Sequence, residues 1–382
     1  MTMLDSISSM VSTRTRIVKF LLMNKDDIVL KFNYVEESPI SYYYEEVTEN
    51  IAPLPIGYND IESWLLGRKA PSHRKHISEL CDRFNCNTTL GYIMFTHAVS
   101  LNDSFWVKEV SDNISWIDVS PYDNRFSDII ARCAFTGEYS MGVLGVPTPE
   151  FSTDGSYPKC WRKEDDGIYL YKSGSETYNN VEPVKECLSS LIYSKLCNSS
   201  VSYELSSLYN ITSSKCKLFT SDDVGLVSAA KVLNKGKASI EELLKLCSSV
   251  SSEDEFIRML IADSVVMNTD RHLGNIGFLV SNKSQTVLGL SPIFDFNRTL
   301  IPELSEELYY DKSQFRNILK NQIPKLGTNF REVARYFLNE EIRSILVDIK
   351  EFVYSDSMYF TGSFERESAR EIIITNIDSI LL

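Results

Sequence analysis

Apolar and β-branched residues flank a polar break in "RIVKFLLMNKDDIVLKFNY" (16–34), which predicts two strands around an Asn-Lys-Asp-Asp turn. Over 71–84, "PSHRKHISELCDRF" opens on proline and puts Ile77, Leu80, Cys81 and Phe84 on one face, predicting a helix. The texture changes near 145–160, where "VPTPEFSTDGSYPK" gathers Pro, Gly, Ser and Thr into a loop and marks a unit boundary. Next, "CWRKEDDGIYLYK" reads as a hairpin turning at Asp-Asp-Gly. A helix is expected over 181–196, where Val184, Cys187, Leu188, Leu191 and Ile192 recur at helical spacing. From about 221 onward the pattern is mainly helical, and Ser252 with Glu255 fits a capping box for "DEFIRMLIADSVVMN". "IGFLV" and "TVLGL" suggest a small hairpin across 281–284, and 328–382 reads as a helical subdomain. There is no internal repeat and no low-complexity tract.

Composition narrows the function. A length of 382 residues allows two or three compact units, and a net charge of -13 sets the chain as a whole against nucleic acid phosphates and anionic lipid. No helix with a basic face suited to reading DNA is evident, so direct DNA binding is not expected. The early apolar run "IVKFLLM" is interrupted by Lys19 and too short to span a bilayer, so no membrane association and a cytoplasmic location are expected. The eight cysteines are scattered without zinc-type spacing, and Cys81 and Cys86 near His73 and His76 come closest to it. Reduced structural thiols are the expectation. The basic stretch from Arg68 to Lys75 reads either as a contact for an anionic partner or as a solvated helix end.

The chemistry concentrates in "MNTDRHLGNIGFLV" (267–280), a charged loop between two apolar runs. Such a loop is costly unless its polar groups have partners. Asp270 and Asn275 lie five apart, and Asp295 follows in "PIFDFN". Acid, amide, then acid after a hairpin is the set that metal-assisted phosphoryl transfer needs: one carboxylate to orient a hydroxyl, and two hard oxygen donors for Mg²⁺. The plainer reading pairs Asp270 with Arg271 and leaves Asn275 to cap a turn.

"NTDRHLGN" followed by "FDFN" resembles the catalytic and metal-binding loops of the HipA-like serine/threonine protein kinases, whose fold is shared with phosphatidylinositol 3- and 4-kinases. Upstream, "FSTDGSYPK" is similar to that family's phosphate loop, "IYLYKSGS" to its lysine strand and "EPVKECLSSLIYSKL" to its glutamate helix, in the family's order. The resemblance implies an α+β, atypical two-lobed protein-kinase-like fold. Residues 1–145 would form an additional α+β region of unknown role, 146–220 the N-lobe, and 221–382 a mainly helical C-lobe. It implies ATP and Mg²⁺ as cofactors, Asp270 as the catalytic base or hydroxyl-orienting acid, and Asn275 and Asp295 as metal ligands. Lys172 would hold the phosphates, paired with Glu186 in preference to Glu182, which Pro183 places at the helix start. Ser152, Thr153, Gly155, Ser156 and Lys159 would form the phosphate loop, with Ser152 the candidate for autophosphorylation. His272 would lie near the nucleotide or serve structurally.

The sequence departs from the family at Asn297, where conventional kinases carry glycine, and at Gly274, where some members carry a lysine that Arg271 could replace as a source of charge. The first 145 residues do not match the amino-terminal domain of the best-known HipA proteins, apart from a likeness of "SLNDSFWVKE" (100–109) to segments of other members. The expected activity is a protein serine/threonine kinase acting on a protein substrate, as the toxin or effector half of a bacterial two-gene system whose other half would be a HipB-like helix-turn-helix antitoxin. A lipid or small-molecule kinase, and a non-catalytic nucleotide-binding regulator, are the alternatives.

Overall fold

The computed structural model describes residues 15–38, 40–47, 51–139, 148–178, 180–355 and 357–382. Strands β1 (Arg16–Asn24), β2 (Asp27–Ser38), β3 (Ser41–Glu46) and β4 (Phe105–Glu109) form an antiparallel sheet in the order β3-β2-β1-β4. Alternation along β1 and β2 turns Phe20, Leu22, Leu30 and Phe32 to one face. That face is buried with Trp64, Leu65, Leu80 and Ile93 from the short helices Ile61–Arg68, Ile77–Arg83 and Thr89–Thr96. Phe151, from beyond the Pro/Gly-rich stretch, joins this core through edge contacts with Phe84 and Phe95.

A second antiparallel sheet contains β5 (Lys159–Glu164), β6 (Gly167–Ser173), β7 (Tyr203–Leu208) and β8 (Ile211–Lys217) in the order β5-β6-β8-β7. Tyr209 and Asn210 turn β7 into β8 with φ values of 52° and 63°, both in the left-handed region that a two-residue hairpin turn requires. The third sheet places β9 (Val224–Ser228) beside the hairpin β10 (Gly277–Ser281) and β11 (Val287–Leu290).

The helix Glu182–Leu196 crosses from the second sheet to the helical part, where it packs on Glu253–Val266, Glu340–Ser355 and Phe364–Leu381. Their apolar faces supply the largest core, which includes Ile192, Leu260, Ile261, Leu346 and Ile373, all buried. The result is a mixed α and β fold with several antiparallel sheets. Among the described residues no helix is long and apolar enough to cross a membrane.

Three local expectations are corrected. The helix foreseen over 71–84 spans only Ile77–Arg83, because His76 takes a left-handed conformation and the residues before it are engaged elsewhere. Ser252 does not cap its helix with its side chain; its hydroxyl accepts from the Leu290 amide, and Glu255 reaches the amides of Asn198 and Ser199. The mainly helical pattern from 221 onward also contains the strand β9, whose residues are too few to show a clear alternation.

Candidate active site

Register places three polar residues in a row across the second sheet: Lys159 opposite Lys172, and Lys172 opposite Ser214. Because opposed residues in a ladder point the same way, the three side chains share a face. The helix Glu182–Leu196 brings Glu186 over that face, and the Lys172 Nζ donates to Glu186 Oε1 at 2.6 Å and to Asp295 Oδ1 at 2.8 Å. Lys172 is 4% and Glu186 1% exposed, so the pair is shielded from water. The second oxygen of Glu186 accepts from the Ser214 hydroxyl at 2.5 Å, while Oε1 also takes the Phe296 amide at 3.2 Å. Glu182 lies elsewhere and accepts from the Ser175 amide at 3.1 Å.

Burial works against charge on Lys172, but Asp295 and Glu186 outweigh it and hold its pKa well above the usual lysine range. Burial likewise pushes Asp295 upward, and Lys172 and Lys159 together bring it down to about 2. Lys159 has no carboxylate of its own; its Nζ donates to the Asp154 carbonyl at 2.7 Å. Burial, then repulsion from Lys172, lowers it to about 7.

Asp295 has φ 63°, an unfavourable conformation for a residue with a side chain, and its amide donates to the Tyr203 hydroxyl at 3.2 Å. Phe296 then stacks on Tyr193 with ring centroids 4.0 Å apart. The strained residue is thus fixed on both sides. Asn297 is absent from the residues of positive φ, so no glycine is required where conventional kinases have one.

The loop after Met267 is tied to itself and leaves one carboxylate outward. The Asp270 amide donates to Asn268 Oδ1 at 3.0 Å, and Asn275 Nδ2 donates to the Asp270 carbonyl at 3.0 Å. The Asp270 side chain is 37% exposed and approaches His272 Nε2 only at 3.9 Å. Among the described residues its carboxylate accepts no hydrogen bond. His272 Nδ1 accepts from the Gly274 amide at 3.0 Å, and a Cβ at Gly274 would meet the histidine ring.

Arg271 is buried and points inward. It pairs with Asp263 at 3.1 Å and donates to the carbonyls of Asn275 and Phe294, each at 2.8 Å, and to Tyr193 Oη at 3.3 Å. Both alternatives entertained for it are therefore corrected: Arg271 neither pairs with Asp270 nor faces outward to replace a missing lysine. Its role is to fasten the segment bearing Asn275 to the one bearing Asp295.

In the stretch 152–159, Ser152 Oγ donates to the Val99 carbonyl at 3.0 Å and Thr153 Oγ1 to that of Pro149 at 2.7 Å, while Ser156 is exposed. Gly155 has φ 96°, and a Cβ there would run into the Lys159 ammonium. Among the described residues, the amides of residues 154–157 donate no hydrogen bond. Four consecutive free N–H groups beside two buried lysines suit a phosphate chain. Asp295 Oδ2 and the Asn275 side-chain oxygen likewise accept nothing among the described residues, and both are the hard donors a magnesium ion prefers. The donor set therefore fits ATP with Mg²⁺.

Sequence reasoning missed Tyr203, Ser214 and Asp263. The first two lie on β7 and β8, which show no clear alternation; the one local signal was the turn at Tyr209 and Asn210. Asp263 sits mid-helix, and nothing local distinguishes it from a solvated acid. Within the basic stretch Arg68–Lys75 the two arginines turn inward, Arg68 onto Asp103 at 2.5 Å, and are not available to an anionic partner, while Lys75 stays exposed and pairs with Glu176 at the surface at 2.5 Å.

No protein-family model matches the chain, and no curated protein matches it. Among solved structures, the Helicobacter pylori proinflammatory kinase CtkA is 17% identical, with 59% of this chain and 91% of that one covered at a TM-score of 0.49. HipA of Shewanella oneidensis MR-1, solved in a complex with HipB and operator DNA, is 9% identical at a TM-score of 0.54. That likeness covers 95% of this chain and 99% of HipA, so it reaches into the first 145 residues, where the sequence offered only the likeness at 100–109. At this identity the shared feature is the fold: the chain is similar in architecture to a HipA-type kinase.

Proposed function

We propose that the protein is an ATP- and Mg²⁺-dependent serine/threonine protein kinase of the HipA type, with a two-lobed kinase unit in which 146–220 is the N-lobe and 221–382 the C-lobe. The observation that carries this reading is the buried Lys172, held between Glu186 from a helix and Asp295 from the "FDFN" loop. A strand lysine paired with a helix glutamate, beside an aspartate suited to a metal, is the arrangement protein kinases use for phosphoryl transfer.

Bound magnesium–ATP would supply the phosphoryl group and the divalent charge that stabilises it. Asn275 and Asp295 would hold the metal, and Lys172 would hold the phosphates as a compact cation. The amides of 154–157 and Lys159 would cradle the phosphate chain. The outward carboxylate of Asp270 would orient a substrate hydroxyl and receive its proton, while His272 shapes the loop through the Gly274 amide. Ser152 is the candidate for autophosphorylation; its hydroxyl is tied to Val99 and Pro149, so the turn must open before it can react. A protein substrate, and a HipB-like helix-turn-helix partner of the kind present in the HipA complex, complete the proposal.

The test is peptide mass spectrometry after incubation with ATP and Mg²⁺, beside Asp270→Ala. Phosphate on 152–156 in the wild type alone supports the reading. Incorporation into inositol lipid vesicles and not into protein would reverse it, and nucleotide binding without transfer would make the protein a regulator.

A further inference from the structure

The N-terminal region grips the stretch 150–159 along its length, and most of the hydrogen bonds it makes there are donated to carbonyls of the stretch. Arg74 Nη1 donates to the Glu150 carbonyl at 2.5 Å and the Thr153 carbonyl at 3.2 Å, and Nη2 donates to the Lys159 carbonyl at 2.8 Å. The Ala70 amide takes the Phe151 carbonyl at 2.7 Å, and the Lys75 amide takes that of Ser156 at 3.1 Å. Phe151 is sunk in the N-terminal core. These engagements also explain why no helix forms before Ile77.

In a trans peptide, C=O of one residue and N–H of the next point in opposite directions. No described peptide bond is cis. Holding the Thr153 carbonyl therefore turns the Asp154 amide away from the N-terminal region, and holding the Ser156 carbonyl does the same for Tyr157. The Lys159 ammonium, by taking the Asp154 carbonyl, fixes the Gly155 amide in the same manner. A guanidinium is suited to the task, because its planar fork can serve several carbonyls at once. Arg74 is 3% exposed and none of its hydrogen bonds goes to a carboxylate. The buried Glu150 carboxylate offsets only part of the cost of burying this cation, and the return on the remainder is geometric.

We propose that Arg74 is the positioning residue of the phosphate loop, and that the N-terminal region serves to aim the Asp154 and Tyr157 amides at the phosphates of a nucleotide. The inference rests on the kinase reading above and adds that affinity for nucleotide is set from outside the unit bearing the catalytic residues.

The experiment compares full-length wild type, Arg74→Met and Arg74→Lys by titration calorimetry with Mg-ADP and by hydrogen exchange of the 150–159 peptide with and without it. Wild type should gain protection at 154–157 on binding. Arg74→Met should weaken Mg-ADP about ten- to hundred-fold, as expected on releasing one aimed donor, the Asp154 amide, from a charged phosphate, and should lose protection there. Arg74→Lys, which keeps a buried cation and can reach some of the carbonyls, guards against a folding failure and should recover part of both. Wild-type affinity and protection in a folded Arg74→Met, or in Arg74→Lys with no intermediate effect, would overturn the role of Arg74 while leaving the kinase reading intact. Absence of Mg-ADP binding to wild type would overturn both.

Discussion

Replacing Arg271 by lysine keeps the charge and removes the fork. The wild-type guanidinium meets both oxygens of Asp263 at 3.1–3.2 Å and two carbonyls at 2.8 Å. An ammonium has three donors on one atom and cannot span acceptors on opposite sides of a planar group. If the substituted ammonium stays on Asp263, the part-buried carbonyls of Asn275 and Phe294 lose their partners, each at about 1–2 kcal/mol, so the expected loss is roughly 2–4 kcal/mol. For a cooperative unit of about 200 residues that lowers Tm by roughly 5–12 °C. Arg271→Met should cost more, about 3–5 kcal/mol, because Asp263 is left as an uncompensated buried charge. Phosphoryl transfer should fall about hundred-fold in the lysine variant, since misplacing the reactive groups by about 1 Å has that effect. Differential scanning fluorimetry and transfer from labelled ATP measure the two quantities. An Arg271→Lys protein with wild-type Tm and rate would refute the reasoning, for it would mean that charge alone is what Arg271 supplies.

Asp270→Asn should lower transfer about 10²–10⁴-fold with Tm nearly unchanged, because its carboxylate is partly exposed and unbonded; a large fall in Tm would make it structural. Gly155→Ala, at φ 96° and against the Lys159 ammonium, should destabilise by about 1–3 kcal/mol and weaken Mg-ADP, both read by thermal shift with and without nucleotide. Lys159 titrates near 7 when folded against an ordinary 10.5, so between those values the unfolded chain binds more protons and stability rises with pH. The whole gain is on the order of 5 kcal/mol, and Lys159→Met should lose that slope in denaturant titrations at pH 7 and 9. Parallel slopes in the two proteins would contradict the placement of Lys159.

What the sequence determined by itself was local and periodic. The β1–β2 and β5–β6 hairpins, the helix after Pro183 and the β10–β11 hairpin were all legible, because alternation, helical spacing and turn residues report on neighbours in the chain. The order of four short motifs singled out Lys172, Glu186, Asp270, Asn275 and Asp295; the fold joins Lys172, Glu186 and Asp295 by hydrogen bonds, while Asp270 and Asn275 belong with them in the proposed function. Pro183 places Glu182 at the helix start, which favours Glu186 as the partner, and the tertiary structure places Glu186 on Lys172.

Only the tertiary structure decided what the remaining charges do. Arg271, Asp263 and Tyr193 lie on different elements, and their association depends on how the helices Glu182–Leu196 and Glu253–Val266 pack. Arg74 looked like part of a solvated helix end, yet the fold brings it within hydrogen-bond reach of residues 76–85 positions away. A guanidinium carries the same letter in a sequence whether it faces water or a carbonyl. Its partners are set by long-range packing, which local spacing does not encode.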